Sequence, residues 1–251
     1  MKVKFRQRLG QNFMVDNHYL NRIMSIAAIT PEDIVLEIGT GYGVLTELLC
    51  RKSGKVISYE IDKRLFLLAK KKLSNFKNLT LINGDGLKST VKPTKIVSNL
   101  PYSISKAFIY WLVEKDFVST TVTLQEDFVE KLLARPNSKS YRAISAICQL
   151  SFKISLYDRI PPEAFYPSPK VYSFITKIEP FKPMVLNRQL ARQINQLFTF
   201  RGKKVDAVIR HYLKRSIPLG EDVTFLRGRR IQDLAPQECL TLAKFLLSIQ
   251  S

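Results

Sequence analysis

A glycine-rich loop carries the strongest chemical signal in the chain. The segment Glu37–Gly43 has the sequence E-I-G-T-G-Y-G, and it lies between an apolar stretch and an amphipathic one. Glycines at a strand-to-helix turn permit a tight turn and a close approach of a ligand to the backbone. The spacing matches neither the G-x-G-x-x-G of dinucleotide binders nor a phosphate-binding loop, which ends in Lys-Ser/Thr. Glu37 would repel a pyrophosphate but could pair with a cationic group of a ligand.

Two more carboxylates follow the next apolar stretches. Glu60 begins the segment E-I-D, where an acid at the end of a second strand can accept hydrogen bonds from a ribose diol. Asp85 lies within G-D-G, where a carboxylate could accept a hydrogen bond from an adenine amino group. With the glycine loop, these acids describe a cationic adenosine ligand without phosphates, which S-adenosylmethionine fits and NAD and ATP do not. The alternative is a generic α/β turn with acids on the surface.

The tetrapeptide Asn99-Leu100-Pro101-Tyr102 could hold an aminated base. It follows another apolar stretch, and ligands bind at the carboxyl ends of the strands in open α/β sheets. The Asn99 side-chain oxygen and the Leu100 main-chain carbonyl could each accept a hydrogen from an adenine amine, while Tyr102 stacks on the base. This arrangement favours a pyramidal nitrogen aimed at a methyl donor, so catalysis would rest on positioning and electrostatics. The alternative is an ordinary turn.

Alternating strands and helices must position these residues. The apolar pattern predicts strands over 34–38, 55–60, 79–82, 95–98 and 120–125. It predicts helices over 44–51, 63–73 and 105–113. Such alternation is typical of βαβ units and a parallel sheet. Two later strand candidates, 153–157 and 171–178, indicate an antiparallel addition at one edge. The predicted fold is therefore an α/β, Rossmann-like, mostly parallel sheet with an antiparallel edge strand.

The pattern changes near residues 179–183, beyond which only helical periodicity is found, over 188–198, 203–214 and 236–247. We therefore expect two domains, a sheet domain over residues 1–180 and a small all-helical domain over residues 181–251.

The net charge of +19, from 40 Lys and Arg against 21 Asp and Glu, predicts a polyanionic partner. The basic residues that we assign to RNA binding are Lys4, Arg6, Arg8, Arg201, Lys203, Lys204, Arg210 and Lys214. No apolar run reaches the ~18 residues of a membrane span, and the N-terminus does not have the pattern of a signal peptide. The three cysteines fit neither a disulfide framework nor a zinc site, so we expect a cytoplasmic protein without a metal.

The ordered motifs resemble the ribosomal RNA adenine dimethyltransferases, the KsgA family, over essentially the whole chain. The matching segments are Gln11–Phe13, Glu37–Thr46, Glu60–Asp62, Gly84–Gly86, Asn99–Tyr102 and Phe165–Val171. Two positions depart from the family. Thr40 stands where many relatives have proline, with a small expected effect, and Tyr172 stands where aspartate is frequent.

The resemblance implies a donor site for S-adenosylmethionine, which becomes S-adenosylhomocysteine. The residues of that site would be Gln11, Asn12, Phe13, Glu37, Gly39, Thr40, Gly41, Gly43, Glu60, Ile61, Gly84, Asp85, Gly86 and Asn99. The target adenine would be held by Asn99, Leu100, Pro101, Tyr102 and Phe165. Phe165 and Tyr102 would form an aromatic sandwich around the base, although a Phe in a Pro-rich loop can also be a simple anchor.

The activity that the resemblance implies is N6,N6-dimethylation of two adjacent adenosines in the 3′-terminal hairpin loop of small-subunit ribosomal RNA, linked to ribosome biogenesis. A monomer is expected, with methyl transfer in the domain of residues 1–180 and RNA binding in that of residues 181–251. One alternative is a large-subunit adenine methyltransferase of the macrolide-resistance type, which shares every catalytic motif. Another is a ribosome-assembly factor in which methylation is secondary. The Gln11–Asp16 context and the basic C-terminal region favour the first reading.

Overall fold

The computed structural model describes residues 11–181, 186–213 and 221–249, and it divides into two compact units. The first unit contains Met1–Glu126 and Lys153–Pro180, and the second contains Asp127–Phe152 and Phe181–Ser251. The sequence pattern predicts one boundary near residue 180. The structure differs from it because residues 127–152 group with the C-terminal part of the chain.

The described residues form nine strands. In chain order they are β1 Phe13–Met14, β2 Ile34–Ile38, β3 Lys55–Glu60, β4 Leu79–Asn83, β5 Lys95–Ser98, β6 Ser119–Gln125, β7 Phe152–Ile160, β8 Phe165–Tyr166 and β9 Ser173–Pro180. Seven of them make one sheet in the order β4-β3-β2-β5-β6-β9-β7, and β1 pairs with β8 separately. The five neighbouring strands β4, β3, β2, β5 and β6 are parallel to one another, whereas β9 runs antiparallel to β6. The predicted mostly parallel sheet with an antiparallel addition is therefore confirmed.

Helices of the first unit cover this sheet. They are α1 Asn17–Ala27, α2 Val44–Cys50, α3 Lys63–Lys72 and α4 Ser105–Leu112. Parallel strands buried on both faces are continuously apolar, and Val35 and Leu36 in β2 are accordingly fully buried. The Asp16 side chain caps α1 by accepting a hydrogen bond from the His18 amide at 2.8 Å. The carboxyl ends of the parallel strands lie on one side of the sheet, and the candidate residues lie there.

The second unit is helical. Its helices are α5 Glu126–Leu132, α6 Ala143–Ser151, α7 Arg188–Thr199, α8 Val205–Leu213, α9 Glu221–Thr224 and α10 Pro236–Ser248. Helices α6, α7 and α10 pack on one another around fully buried residues such as Ile147, Ile194 and Leu242. The buried Tyr141 hydroxyl donates to the Leu234 carbonyl at 3.0 Å and ties the loop before α6 to the segment before α10. In the described part of the chain, every helix is too short or too polar to cross a bilayer.

Candidate active site

A cavity of about 340 Å³ opens at the carboxyl ends of the parallel strands in the first unit. It is lined by the glycine loop, the ends of β3 and β4, the tetrapeptide and the segment around β1. All the residues that the sequence assigns to the donor site line this cavity except Gly43. Of the target-site residues, Asn99 and Pro101 line it.

The glycine loop has backbone angles that only glycine adopts easily, with φ of +93° at Gly39 and +56° at Gly41. A Cβ atom at Gly41 would lie 3.0 Å from the Phe13 ring, and one at Gly39 would lie 3.3 Å from the Pro101 ring. These two glycines therefore keep the loop close to two other walls of the cavity. Gly43 has a different role, because a Cβ there would lie 2.8 Å from Leu73 and press on the packing under the loop.

Glu60 is held by the backbone around it. Its Oε2 accepts a hydrogen bond from the Gly41 amide and its Oε1 accepts one from the Asp62 amide, both at 2.8 Å. Burial raises the pKa of this carboxyl. Each carboxylate oxygen has a further lone pair, so Glu60 can still accept hydrogen bonds from a diol in the cavity. Asp85 is half-buried, and its Oδ1 accepts from the Leu87 amide at 3.0 Å.

Glu37 lies at the centre of a buried hydroxyl network. Its Oε2 accepts hydrogen bonds from Thr46 Oγ1 and Ser58 Oγ, both at 2.6 Å, and Ser58 Oγ lies 2.6 Å from Thr40 Oγ1. Burial raises the pKa of Glu37 to about 8. Thr40 therefore uses its hydroxyl to support the acid at the start of the loop, a link that the sequence pattern did not reveal.

The chemistry of the lining suits a cationic adenosine ligand. Three acidic side chains line the cavity, and no Lys, Arg or His is found among the described residues of its wall. Apolar side chains such as Phe13, Ile38 and Ile61 complete the wall and offer flat contacts to a purine. Phosphate groups would meet no positive side chain here, whereas a sulfonium or ammonium group would meet negative charge. The described residues also contain no group of three or more metal-ligating side chains that could hold an ion.

The tetrapeptide is fixed by hydrogen bonds from three directions. Asn99 Nδ2 donates to the Asn12 carbonyl at 2.9 Å, and Asn99 Oδ1 accepts from Thr123 Oγ1 at 2.6 Å. The Tyr102 hydroxyl lies 2.6 Å from the Ser173 hydroxyl, and burial raises the pKa of Tyr102. The Leu100 side chain is buried, which leaves the main chain as the part of this residue that can serve a substrate.

Phe165 does not form the sandwich that the resemblance predicts. Its ring is 6.4 Å from the Tyr102 ring with an interplanar angle of 72°, so the two meet edge to face. A base between parallel rings needs about 7 Å, which is two carbon–carbon contact distances. Phe165 is only 2% exposed, pairs with Met14 across β1 and β8, and belongs to the same apolar core cluster as Leu20. Tyr166, its neighbour on β8, lines the cavity instead and was missed by the sequence analysis.

The cationic residues assigned to RNA binding divide into three sets. Lys4, Arg6, Arg8 and Lys214 lie outside the described residues. Lys203, Lys204 and Arg210 are exposed. Arg201 is half-buried, and its guanidinium donates to the main-chain carbonyls of Ser138 and Tyr141 at 2.9 and 3.2 Å.

Arg201 therefore has a structural function, because it anchors the loop of residues 135–142 within the second unit. That loop carries the exposed cations Arg135, Lys139 and Arg142. Sequence reasoning missed them because they lie far along the chain from the assigned basic residues of the C-terminal region, Arg201, Lys203, Lys204 and Arg210. The described positive surface of the second unit thus includes a loop that the charge pattern alone did not show.

Comparison with known proteins decides the family. The family model described as ribosomal RNA adenine dimethylase matches residues 2–247 of the chain. The chain belongs to this family. As a ribosomal RNA adenine dimethylase, it is an enzyme that transfers methyl groups to adenine in ribosomal RNA, and its Rossmann-like sheet is the scaffold for that reaction.

Named relatives support the same assignment. A probable ribosomal RNA small subunit methyltransferase A from Thermococcus onnurineus is 37% identical, and the match covers 95% of this chain and 91% of that protein. The corresponding protein of Methanopyrus kandleri is 36% identical over 71% of this chain and 65% of its own length, just under two thirds of it.

Two solved structures of methyltransferases have the same fold. A dimethyladenosine transferase from Plasmodium falciparum is similar with a TM-score of 0.81 and 25% identity, covering 95% of this chain and 98% of that one. The 23S rRNA methyltransferase ErmE is similar with a TM-score of 0.68 and 26% identity, covering 94% of this chain and 99% of that one. The fold similarity is greater for the dimethyladenosine transferase.

Proposed function

We propose that the chain uses S-adenosylmethionine to dimethylate N6 of two adjacent adenosines in the 3′-terminal hairpin loop of small-subunit ribosomal RNA, as a step of ribosome biogenesis. The observation that carries this proposal is the Asn99 carboxamide, fixed by hydrogen bonds on the wall of a cavity with three acidic side chains. The relatives named as small-subunit enzymes favour this target over the large subunit. A cytoplasmic monomer stays a prediction.

The donor site is assigned by the hydrogen-bonding capacity of the lining. Glu60 accepts from the ribose hydroxyls, Asp85 accepts from the adenine amino group, and Gly39 and Gly41 let the backbone approach the ligand. S-adenosylmethionine supplies an electrophilic methyl group on a sulfonium, and S-adenosylhomocysteine is left when that group is transferred. The anionic lining attracts the positively charged donor, and the neutral thioether of the product loses that attraction.

The target site acts on the adenine nitrogen by positioning it. The Asn99 side-chain oxygen and the Leu100 carbonyl accept the two amine hydrogens, which draws the nitrogen lone pair out of conjugation with the ring. That lone pair forms the new N–CH₃ bond while the electrons of the donor's S–CH₃ bond return to sulfur. The nitrogen then loses a proton to water. In a second round, with a fresh donor molecule, the remaining N–H is held by one of the two acceptors while the lone pair takes the second methyl group. Tyr102 faces the base with a neutral phenol, and burial, which raises its pKa, keeps it in that form.

RNA binding is assigned to exposed cations of the second unit. Lys203, Lys204 and Arg210 offer charge to phosphates, and the loop of residues 135–142 adds Arg135 and Lys139. Contacts of this kind read backbone shape rather than sequence. The target adenosine must leave its stack to enter the cavity, which is easiest in a hairpin loop.

Methyl transfer to unmodified small subunits tests the catalytic assignment. The wild-type protein should form N6,N6-dimethyladenosine, detected by mass spectrometry of the digested RNA. Asn99→Ala should lower turnover at least about 100-fold, as expected when an essential positioning group is lost, while the affinity for the RNA stays within a few-fold. Retained turnover in Asn99→Ala would contradict the assigned chemistry.

Salt dependence of RNA affinity tests the binding surface. Replacing Lys203 and Lys204 by Ala should reduce the slope of log K against log salt by about 1.4–1.8, because each phosphate contact contributes about 0.7–0.9. The matched control replaces Lys70 and Lys71, two exposed cations on α3, and should leave the slope unchanged. Equal slopes for the two double variants would remove the 203–204 surface from the RNA interface.

A further inference from the structure

The Asn99 side chain is held by a partner that neither the motif nor the charge pattern includes. Thr123 Oγ1 lies 2.6 Å from Asn99 Oδ1, and the opposite end of the amide, Nδ2, lies 2.9 Å from the Asn12 carbonyl. The two contacts grip the carboxamide from both ends. Because the reaction needs an oxygen acceptor at one defined place, the direction of this amide matters.

The pair of contacts has only one consistent proton arrangement. A main-chain carbonyl accepts and cannot donate, so the group facing Asn12 must be the NH₂ end of Asn99. The oxygen end then faces Thr123, whose hydroxyl donates to it. An amide oxygen has two lone pairs, so one remains free to accept a hydrogen from the substrate amine.

The strand geometry fixes Thr123 firmly. Ser98 at the end of β5 pairs with Val122 of β6, so Thr123 lies beside the residue that follows β5, which is Asn99. Thr123 is fully buried and pairs with Ile175 across β9. A β-branched side chain has a restricted χ1 angle, so the backbone of β6 sets the direction of the hydroxyl.

A hydroxyl at this place is not needed for packing. Leu124 and Ile175 nearby are fully buried and apolar, and a valine would fill the same volume as Thr123. The hydrogen bond to Asn99 is what distinguishes threonine from valine here. Thr121, two residues earlier on the same strand face, is also buried, but its hydroxyl has no hydrogen-bond partner among the described residues.

We propose that Thr123 is a positioning residue for methyl transfer, which holds the Asn99 carboxamide with its oxygen directed to receive the adenine amine. This inference rests on the proposed function of Asn99. Thr123 does not touch the substrate; it acts by restricting Asn99 to one orientation.

Substitution at two neighbouring threonines tests this role. Thr123→Val should lower kcat about tenfold through loss of one hydrogen bond, with KM for both substrates and the melting temperature little changed. Thr123→Ser keeps the hydroxyl and should retain kcat within about twofold. The matched control, Thr121→Val, should leave kcat unchanged. A wild-type kcat in Thr123→Val, or a Thr123→Ser as slow as Thr123→Val, would overturn the proposal.

A second readout separates this inference from the proposed function. The NMR signals of the Asn99 side-chain NH₂ group can be identified by their loss in Asn99→Ala. Their chemical shifts should change in Thr123→Val and stay the same in Thr121→Val. Unchanged signals in Thr123→Val would overturn the positioning role even if activity fell. A wild-type protein that fails to methylate small-subunit RNA would reject the proposed function, and the amide signals would still decide whether Thr123 holds Asn99.

Discussion

Gly41→Ala places a defined strain in the wall of the donor cavity. The φ angle of Gly41 is +56°, in the left-handed region, where a residue with a Cβ atom pays about 1–2 kcal/mol. The new Cβ would also lie 3.0 Å from two ring atoms of Phe13, closer than the ~3.5 Å of an ordinary carbon contact. Phe13 lines the cavity, so the ring must move by several tenths of an ångström and change the shape of the site.

Gly228→Ala is the matched control. Its φ angle is +74°, so the backbone strain is similar, but the added Cβ would have no heavy atom of the described residues within 4 Å. Urea denaturation should therefore show a loss of about 1–2 kcal/mol in Gly228→Ala. The loss in Gly41→Ala should be at least as large, because the contact with Phe13 adds to the backbone strain. Calorimetry should show at least about tenfold weaker binding of S-adenosylmethionine, about 1.4 kcal/mol, in Gly41→Ala alone.

Three outcomes of this pair are informative. Weaker donor binding in Gly41→Ala only would support the cavity as the donor site, with Phe13 as one wall. Equal, wild-type affinity in both variants would refute that assignment. Equal loss of affinity in both would show that the effect comes from lowered stability and not from contact with Phe13.

Glu37→Gln should reduce the loss of folding stability that accompanies a rise in pH. Because burial raises the pKa of Glu37 from 4.5 to about 8, the folded protein keeps a proton that the unfolded chain releases. The free energy of unfolding of the wild-type protein should fall by up to about 1.4 kcal/mol per pH unit as the pH rises from 4.5 to about 8. Urea titrations that show the same pH dependence in Glu37→Gln would contradict this. Ser173→Ala and Tyr102→Phe break one hydrogen bond from opposite sides and should lower kcat by similar, several-fold factors; unequal steady-state rates would exclude a shared role. Arg201→Met should speed amide hydrogen exchange around Ser138, and unchanged exchange measured by mass spectrometry would show that Arg201 does not anchor the loop.

The parallel strands could be predicted because their sequence pattern is local. The residues of β2, β3 and β5 are short apolar runs with turn signals at both ends, and the predicted bounds match the observed ones. The helix α1 lies before the predicted alternation, which begins with the strand at residues 34–38, although its residues Leu20, Ile23 and Ile26 are buried. The helix α6 (A-I-S-A-I-C-Q-L-S) is buried almost throughout, so it has no polar face to give a helical period.

The site could be predicted where the functional residues are adjacent in the sequence and form a motif. The glycine loop and the tetrapeptide are such segments, and the structure brings them to one cavity. The supporting hydroxyls could not be found this way, because Thr123 is 24 residues from Asn99 and Ser58 is 21 residues from Glu37. Only the register of neighbouring strands makes them partners.

The two aromatic residues of β8 show a further limit. Successive side chains of a strand point to opposite faces, which buries Phe165 and directs Tyr166 to the cavity. A strand of two residues is too short for this alternation to be read from the sequence. The motif therefore drew attention to Phe165, and Tyr166 became visible only in the structure.

Primer extension across both ribosomal RNAs tests the central claim most directly. A dimethylated N6 cannot pair normally, so it stops reverse transcription at the modified base. After unmodified ribosomal subunits are treated with the protein and S-adenosylmethionine, the account predicts a stop at two adjacent adenosines in the 3′-terminal hairpin of the small-subunit RNA. The stop should be absent with Asn99→Ala. A stop in the large-subunit RNA, or none in either RNA, would contradict the account.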